Sequence, residues 1–270
     1  MPVASDDSSP FVDGGSTIAK GMLSLTRRKI FDWNFEIAAS RSIYGFDALD
    51  PRSRPFNMIR PQLMELKAER DWRLIGVVSA TPKVGKSFIA ANIAAALSRE
   101  PSLETFAIDL DLRRASLSTM FGIEPNVSLL SYLAERPGAD APSTYILDNE
   151  RLTIVPTIAR AIRSAELVAG RRAHALLQEV RDLGPNTVAI VDLPPVFAND
   201  DALTIMSKLD AYILVAEEGK TRQREIEGAI HLLGRERLAG VILNKYRGGM
   251  VSEGYGFDDY YAAGYGESQY

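Results

Sequence analysis

Residues 74–88 of this 270-residue chain read LIGVVSATPKVGKSF. The stretch begins with a nearly continuous apolar run, turns through a segment with a proline and a glycine, and continues into a region where Ile89, Ile93 and Leu97 recur at helical spacing. It therefore predicts a strand, a tight loop and a helix. The loop matches the pattern GxxxxGK[ST] except that Ala80 replaces the first glycine, and this pattern is typical of phosphate-binding loops.

The loop sequence predicts which of its groups contact the phosphates of a nucleotide. In such loops, successive N–H groups and the start of the following helix point at phosphate oxygens. Pro82 has no N–H, so the residues after it are expected to make the contacts. These residues are Lys83, Val84, Gly85, Lys86, Ser87 and Phe88. The Lys86 ammonium is expected at the β- and γ-phosphates, and the Ser87 hydroxyl on Mg²⁺. Ala80 and Lys83 are expected at negative φ, because left-handed backbone costs a non-glycine residue roughly 1 kcal/mol or more.

Apolar segments alternate with helical patterns along most of the chain. Besides 74–79, strands are predicted at 105–110, 152–156, 187–192, 211–216 and 238–243. Helices are predicted at 56–69, 164–183, 200–207 and 221–234. Fully apolar strands separated by helices are typical of parallel sheets covered on both faces. The sequence therefore predicts an α/β fold of the P-loop NTPase type, with a doubly wound, mainly parallel sheet and helices on both faces.

Three aspartates follow predicted strands. Asp109 and Asp111 come at the end of segment 105–110, and Asp192 ends segment 187–192. Residues two apart on a strand share one face, and ligands of open α/β sheets bind at the carboxyl ends of the strands. Each aspartate alone is equally well explained as a helix cap or a turn residue. The three together with the phosphate loop favour one shared site.

Composition excludes several classes of protein. The net charge of −4 argues against a nucleic-acid partner that relies on a basic surface. The chain has no cysteine, so disulfides and thiolate metal sites are excluded and a reducing cytoplasm is the simplest setting. No stretch approaches the roughly 18 apolar residues that cross a bilayer. We therefore expect a cytoplasmic protein that meets the inner face of the cell membrane only peripherally.

The two ends of the chain differ in composition from its centre. Residues 1–50 are predicted to be a flexible extension, 51–250 the α/β domain and 251–270 a separate tail. Within the extension, residues 20–37 mix basic with apolar and aromatic side chains. Such a segment either lies on a membrane or a partner, or packs its rings against the domain as a linker. The second interpretation is favoured.

The tail holds five of the ten tyrosines of the chain, which are Tyr255, Tyr260, Tyr261, Tyr265 and Tyr270. It also has four acidic side chains, no Lys or Arg, and glycines between the rings. No apolar period could bury these rings, whereas exposed phenols spaced by glycine suit an enzyme that must reach each one. The five tyrosines are therefore predicted to be phosphate acceptors.

The order of these motifs resembles that of the bacterial tyrosine kinases of capsule and exopolysaccharide synthesis. The resemblance covers residues 54–270 and includes the glycine-poor loop with Pro82. It also includes the DxDxR motif at Asp109, the segment DLPP at Asp192 and the tyrosine-rich tail. The related MinD and ParA ATPases share the scaffold but typically carry a lysine where Thr81 stands here. The kinase branch is therefore favoured.

The resemblance implies five catalytic residues, which are Lys86, Asp109, Asp111, Arg113 and Asp192. In such kinases Lys86 would bind the phosphates, Asp111 would assist the incoming tyrosine hydroxyl, and Arg113 would lie near the transferring phosphate. Phosphoryl transfer needs positioning and charge neutralisation more than covalent help. A tyrosine with a pKa near roughly 10 needs a carboxylate to orient it and to receive its proton.

The resemblance also implies how the two cofactors, ATP and Mg²⁺, are held. Ser87, Asp109 and Asp192 would hold the metal, directly or through water. Asn244 would contact adenine, although a turn-forming asparagine explains that position equally well. Lys83 stands where the family usually has glycine. Its side chain either adds a cation near the phosphates or points to solvent, and the second is favoured.

Partners are implied in the same way. The family's kinase domain is fused to a transmembrane chain-length regulator, the polysaccharide co-polymerase, or is a separate chain activated by one, and this chain resembles the separate type. The family's ring-forming motif ExxRxxR aligns with residues 54–60, where Arg54 and Asn57 depart from it and only Arg60 is kept. Ring assembly is therefore in doubt, while a homo-oligomer stays open. Two other hypotheses remain, a MinD/ParA-type ATPase switch and a degenerate kinase that binds nucleotide as a scaffold.

Overall fold

A computed structural model describes residues 28–147, 151–158 and 163–246. Its eight strands are β1 (Arg28–Phe31), β2 (Leu74–Ser79), β3 (Glu104–Asp109), β4 (Thr144–Leu147), β5 (Leu152–Val155), β6 (Thr187–Asp192), β7 (Ala211–Glu217) and β8 (Leu238–Asn244). The α-helices of these residues are α1 (Phe35–Ser40), α2 (Arg54–Arg70), α3 (Lys86–Ser98), α4 (Leu117–Phe121), α5 (Leu129–Leu133), α6 (Ser164–Ala169), α7 (Arg171–Asp182), α8 (Asp201–Met206) and α9 (Gln223–Leu233). Short 3₁₀ helices occupy Pro51–Ser53 and Arg235–Arg237.

All of these strands join one sheet, in the order β1-β4-β5-β3-β6-β2-β7-β8. Neighbouring strands run parallel except β4 and β5, which are antiparallel. The predicted mainly parallel sheet is therefore confirmed. Strand β2 lies beside β6, and β6 lies beside β3. The carboxyl ends of these three strands consequently meet at one edge of the sheet, which positions the site.

Helices cover both faces of the sheet, and each face has its own apolar core. The core on one face includes residues of α1 to α4, and the core on the other includes residues of α5 to α9. Strand β2 shows why, because Leu74 and Val78 join one core while Ile75 and Val77 join the other. The predicted doubly wound arrangement is confirmed.

The described residues before 51 also belong to this domain. The domain therefore begins earlier than the predicted boundary at residue 51. Strand β1 pairs with β4 at the edge of the sheet. Trp33 is only 4% exposed, and its ring centroid lies 5.8 Å from that of Phe46 and 5.5 Å from that of Phe121. Burial of these rings fixes the segment, so the described part of residues 20–37 packs against the domain.

Two further differences concern helices and short strands. The helix predicted at 164–183 is two helices, α6 and α7, because Gly170 adopts an extended conformation between them. Strands β1 and β4 were not predicted, and each is only four residues long.

In the part of the chain that the structure describes, no helix has the length and apolar character needed to cross a membrane. Residues 1–27 and the predicted phosphate acceptors of the tail lie outside the described residues.

Candidate nucleotide and phosphoryl-transfer site

The phosphate loop connects β2 to α3 and turns at Gly85, where the backbone has φ +92°. The left-handed conformation favours glycine, and a Cβ atom at this position would displace the amide of Asn244. No side chain caps the start of α3. The N–H groups of its first turn are therefore free to bind an anion.

Lys83 corrects one expectation, since its φ is +66° rather than negative. Two contacts hold the left-handed backbone in place. The Lys83 carbonyl accepts a hydrogen bond from Lys245 Nζ at 2.9 Å, and the adjoining Val84 side chain is buried in the core. These contacts outweigh a backbone cost of roughly 1 kcal/mol. The Lys83 side chain is exposed, in agreement with the favoured solvent orientation, and Ala80 has the expected negative φ.

The Lys86 ammonium lies between two aspartates. Its Nζ is 2.7 Å from Oδ2 of Asp111 and 3.7 Å from Oδ1 of Asp192. These side chains are shielded from water, since 11% of Lys86, 1% of Asp111 and none of Asp192 is exposed. The structure thus brings together the phosphate loop, the turn after β3 and the end of β6.

The charges at this point do not balance. Asp109 and Asp192 are register partners on β3 and β6, and with Asp111 they place three buried carboxylates around one ammonium. Burial raises the pKa of Asp109 well above its usual range, and Asp192 raises it further. Burial also raises the pKa of Asp192, against the opposing effect of Lys86. Burial alone would lower the pKa of Lys86, but Asp192 and Asp111 outweigh it and the pKa is raised.

Asp109 uses its oxygens to shape the turn after β3. Oδ1 accepts from the N–H of Asp111 at 3.2 Å, and Oδ2 accepts from the N–H groups of Ser116 and Leu117, both at 3.0 Å. In this structure the Asp109 carboxylate therefore acts as a turn-stabilising group, which is the alternative role that the sequence left open. Its effect on the site is to fix the backbone that presents Asp111.

Asp192 has the opposite character. Its side chain is fully buried, and neither oxygen has a hydrogen-bond partner among the residues described. Ser87 lies close enough to lower its pKa. The ammonium of Lys86 faces this carboxylate at 3.7 Å, beyond hydrogen-bond distance, so its oxygens keep room for a further cation. A carboxylate beside a hydroxyl offers the oxygen ligands that Mg²⁺ prefers. Ser87 and Asp192 therefore fit a magnesium ion.

The metal would need further ligands. Within residues 28–147, 151–158 and 163–246, no group of three or more His, Asp or Glu side chains could hold an ion by itself. This is not an obstacle for Mg²⁺, which usually keeps several waters and is held by one or two carboxylates together with substrate phosphates.

The described contacts of Arg113 are with residues outside the phosphate loop. Its Nε donates to Oγ of Ser164 at 2.7 Å and lies 3.5 Å from Oδ2 of the buried Asp201. The arginine side chain is 44% exposed and lines a surface pocket of about 480 Å³ together with Glu166 and Asp200. A direct contact between Arg113 and a transferring phosphate would require the guanidinium to leave these partners.

Two of the predicted nucleotide contacts have other neighbours. The Phe88 ring packs edge-to-face on Tyr44 and Phe56, at centroid distances of 6.3 and 5.9 Å. Only its backbone N–H, in the first turn of α3, is therefore placed for phosphate. Asn244 uses Nδ2 to donate to the Val84 carbonyl at 2.8 Å, so the described contact of this side chain is with the loop.

Residues 75–255 match the model of the CobQ/CobB/MinD/ParA nucleotide binding domain. The chain belongs to this family. As a CobQ/CobB/MinD/ParA domain with a P-loop fold, it is a nucleotide-binding protein. The loop from Lys83 to Ser87 and the free N-terminus of α3 are the part of the structure that this binding would use.

Relatives within the wider family place the chain more narrowly. Tyrosine-protein kinase YwqD of Bacillus subtilis is 27% identical over 194 residues, which cover 71% of this chain and 80% of YwqD. The succinoglycan biosynthesis transport protein ExoP of Rhizobium meliloti is 31% identical over 187 residues, which cover 67% of this chain but only 23% of ExoP. The crystal structure of the chimerical protein CapA2B2 superposes with a TM-score of 0.67 at 25% identity, covering 77% of this chain and 90% of CapA2B2. The predicted resemblance to bacterial tyrosine kinases is confirmed.

Sequence reasoning missed one residue of the site, Lys245, which contacts the loop from a position 162 residues further along the chain. Nothing in the local sequence marks it. For Lys83, the sequence did carry a signal, because the glycine that the family usually has at this position is compatible with left-handed backbone.

In the aligned assembly motif, Asn57 is engaged within the domain, since its Nδ2 donates to the Ala48 carbonyl at 3.1 Å and its Oδ1 accepts from Arg99 at 2.5 Å.

Proposed function

We propose that the chain is an ATP-dependent protein-tyrosine kinase that phosphorylates its own tail at Tyr255, Tyr260, Tyr261, Tyr265 and Tyr270. The observation that supports this most is the position of Asp111. Its carboxylate touches the ammonium of Lys86, the residue that binds the transferring phosphate in phosphate-loop enzymes. A base at this point can receive the proton of a tyrosine hydroxyl that approaches the γ-phosphate.

The ion pair between Lys86 and Asp111 defines the first step. Lys86 would exchange Asp111 for the phosphates of ATP, and this exchange frees the carboxylate to act as a base. The tyrosine oxygen then bonds to the γ-phosphorus while the bond from that phosphorus to the bridging oxygen of ADP breaks. The phenolic proton passes to Asp111. Mg²⁺ bound at Ser87 and Asp192, with Asp109 behind them, would neutralise charge on the phosphates.

We also propose that Asn244 contacts adenine and that Arg113 contacts the transferring phosphate. The Asn244 amide oxygen has no donor among the described residues, so it remains available to the exocyclic amine of adenine. Arg113 would have to exchange Ser164 and Asp201 for substrate. Its exposed, pocket-lining position is compatible with such a change.

The partner that we propose is a transmembrane polysaccharide co-polymerase, with the kinase held peripherally at the cytoplasmic face of the membrane. Support comes from relatives named for tyrosine-kinase activity and for succinoglycan biosynthesis transport. Assembly into a homo-oligomer stays open. The internal hydrogen bonds of Asn57 argue against a ring formed through the aligned motif.

The test is phosphopeptide mass spectrometry of the full chain, expressed with and without a genomic neighbour that encodes a membrane regulator. ATP-dependent phosphotyrosine should appear in the tail and should disappear in Lys86→Met, in Asp111→Asn and in a variant with the five tail tyrosines changed to Phe. Lys220→Met is the matched control, since this half-exposed lysine pairs with Glu217.

The same samples separate the alternatives. Phosphate release without phosphotyrosine would favour a MinD/ParA-type ATPase, in which the tail serves assembly. Nucleotide binding without turnover, even with the membrane regulator present, would favour a scaffold that has lost its activity. Unmodified tail tyrosines in every sample would overturn the kinase proposal.

A further inference from the structure

The end of β8 reaches back to the phosphate loop through two side chains. Nδ2 of Asn244 donates to the Val84 carbonyl at 2.8 Å, and Nζ of Lys245 donates to the Lys83 carbonyl at 2.9 Å. We call Asn244 and Lys245 the β8 clamp. Two consecutive carbonyls of the loop are thus held from one side by residues more than 150 positions away in sequence.

The chemistry of the peptide unit gives these bonds a consequence. In a planar trans peptide, the carbonyl and the N–H of the next residue point in opposite directions. Holding the carbonyls of Lys83 and Val84 toward β8 therefore turns the N–H groups of Val84 and Gly85 toward the opposite side of the loop. Neither N–H donates to any acceptor within the described part of the chain. Both are free to bind phosphate oxygens.

Backbone strain marks the same contact. Lys83 has φ +66° and Lys245 has φ +58°, so one hydrogen bond joins two non-glycine residues in the left-handed region. Each such conformation costs roughly 1 kcal/mol or more and persists where surrounding contacts over-determine it.

We propose that the β8 clamp positions the phosphate loop for nucleotide, with Lys245 as a positioning residue that aims the Val84 N–H and Asn244 as one that aims the Gly85 N–H. The ligand is the polyphosphate of a nucleoside di- or triphosphate. The proposal rests on the nucleotide binding that the family establishes and is independent of the tyrosine kinase reaction.

The structure supplies a closely matched control for Lys245. Lys245 and Lys220 both pair with Glu217 at 3.1 Å, through different carboxylate oxygens. Their side chains are 47% and 50% exposed. Only Lys245 also reaches the loop carbonyl, so comparing Lys245→Met with Lys220→Met isolates that contact from the loss of one positive charge beside Glu217.

The experiment is calorimetric titration of the full chain with MgADP, with thermal unfolding of each variant as a check of folding. Lys245→Met should weaken binding about fivefold to tenfold, the factor for losing one hydrogen bond from a charged donor at a half-exposed site. Lys220→Met should stay within about twofold, and Lys245→Arg, which keeps a cationic donor, should recover most of the affinity. Equal effects of the two methionine variants, or no effect of either, would overturn the proposal.

A second measurement follows the two loop amides directly. Amide hydrogen exchange at Val84 and Gly85 of the wild-type chain should slow when ADP is added, and in Lys245→Met the Val84 amide should lose more of this protection than the Gly85 amide. Unchanged exchange at both amides in a wild-type sample that binds ADP would refute the proposed aim of these groups. Absence of tail phosphorylation would leave both results unaffected and would count only against the kinase proposal.

Discussion

Replacing Lys86 by methionine should destabilise the fold even without nucleotide. The change keeps the length of the side chain but removes the ammonium that lies 2.7 Å from Asp111 and 3.7 Å from Asp192. At an effective dielectric constant of about 20, these distances correspond to gross attractions of about 6 and 4.5 kcal/mol, much of which offsets the desolvation of the charges. Removing one partner of a buried pair costs about 3–5 kcal/mol, and the 11% exposure of Lys86 places the expected loss near about 3 kcal/mol.

The assay is urea unfolding followed by far-ultraviolet circular dichroism, with the free energy extrapolated to water. Lys220→Met, which breaks a half-exposed pair, should lose less than about 1 kcal/mol. Adding Asp111→Asn to Lys86→Met should restore part of the stability, because one uncompensated charge is removed, without restoring nucleotide binding. The loss should shrink at acid pH, because burial raises the pKa of Asp109 and of Asp192 and protonation removes charge that Lys86 would neutralise. Equal stability of wild type and Lys86→Met would refute the reasoning.

Three more outcomes follow from contacts described above. Trp33→Ala should lower the free energy of unfolding by about 3–5 kcal/mol. Phe35→Ala, at a position 59% exposed, should change it by less than about 0.5 kcal/mol. If both variants had similarly small effects, residues 28–50 would be an extension and not part of the domain. In denaturant titrations, Lys83→Gly should be more stable than Lys83→Ala by roughly 1 kcal/mol because φ is +66°, and the reverse order would contradict that backbone conformation. Gly85→Ala should weaken MgADP binding in calorimetry, since alanine is strained at φ +92° and its Cβ would displace the Asn244 amide from the loop; unchanged affinity would show that the loop tolerates both changes.

The central strands were predictable because burial on both faces leaves a continuous apolar run. Strands β2 and β6 have the bounds that their apolar segments predict, and their ends place the loop and Asp192. The edge strand β1 was not predictable in this way, because it is short, begins with two basic residues and is only partly buried. The buried strand β4 has only four residues and opens with Thr and Tyr, too little for a periodic pattern to show.

The site likewise contains residues that the sequence predicted and others that depend on tertiary contacts. Motif spacing and chain position predicted that Lys86, Asp111 and Asp192 meet, because each lies at the end of a strand or the start of a helix that the fold brings to one edge. The backbone of Lys83 was predicted from its local cost alone, and tertiary contacts reversed the sign of φ. The contact from Lys245 depends on how β8 ends relative to the loop, which no local pattern encodes.

The order of the strands also sets where the chain enters and leaves the sheet. β1 and β8 form its two opposite edges, and seven inter-strand spacings of about 4.8 Å separate them by roughly 34 Å. A protein bound at the β1 edge would therefore stand on the opposite side of the sheet from Tyr246, the last residue that the structure describes. In the proposed kinase, a partner held at the β1 edge would leave the β8 edge unobstructed, and with it the contacts of Asn244 and Lys245 with the phosphate loop.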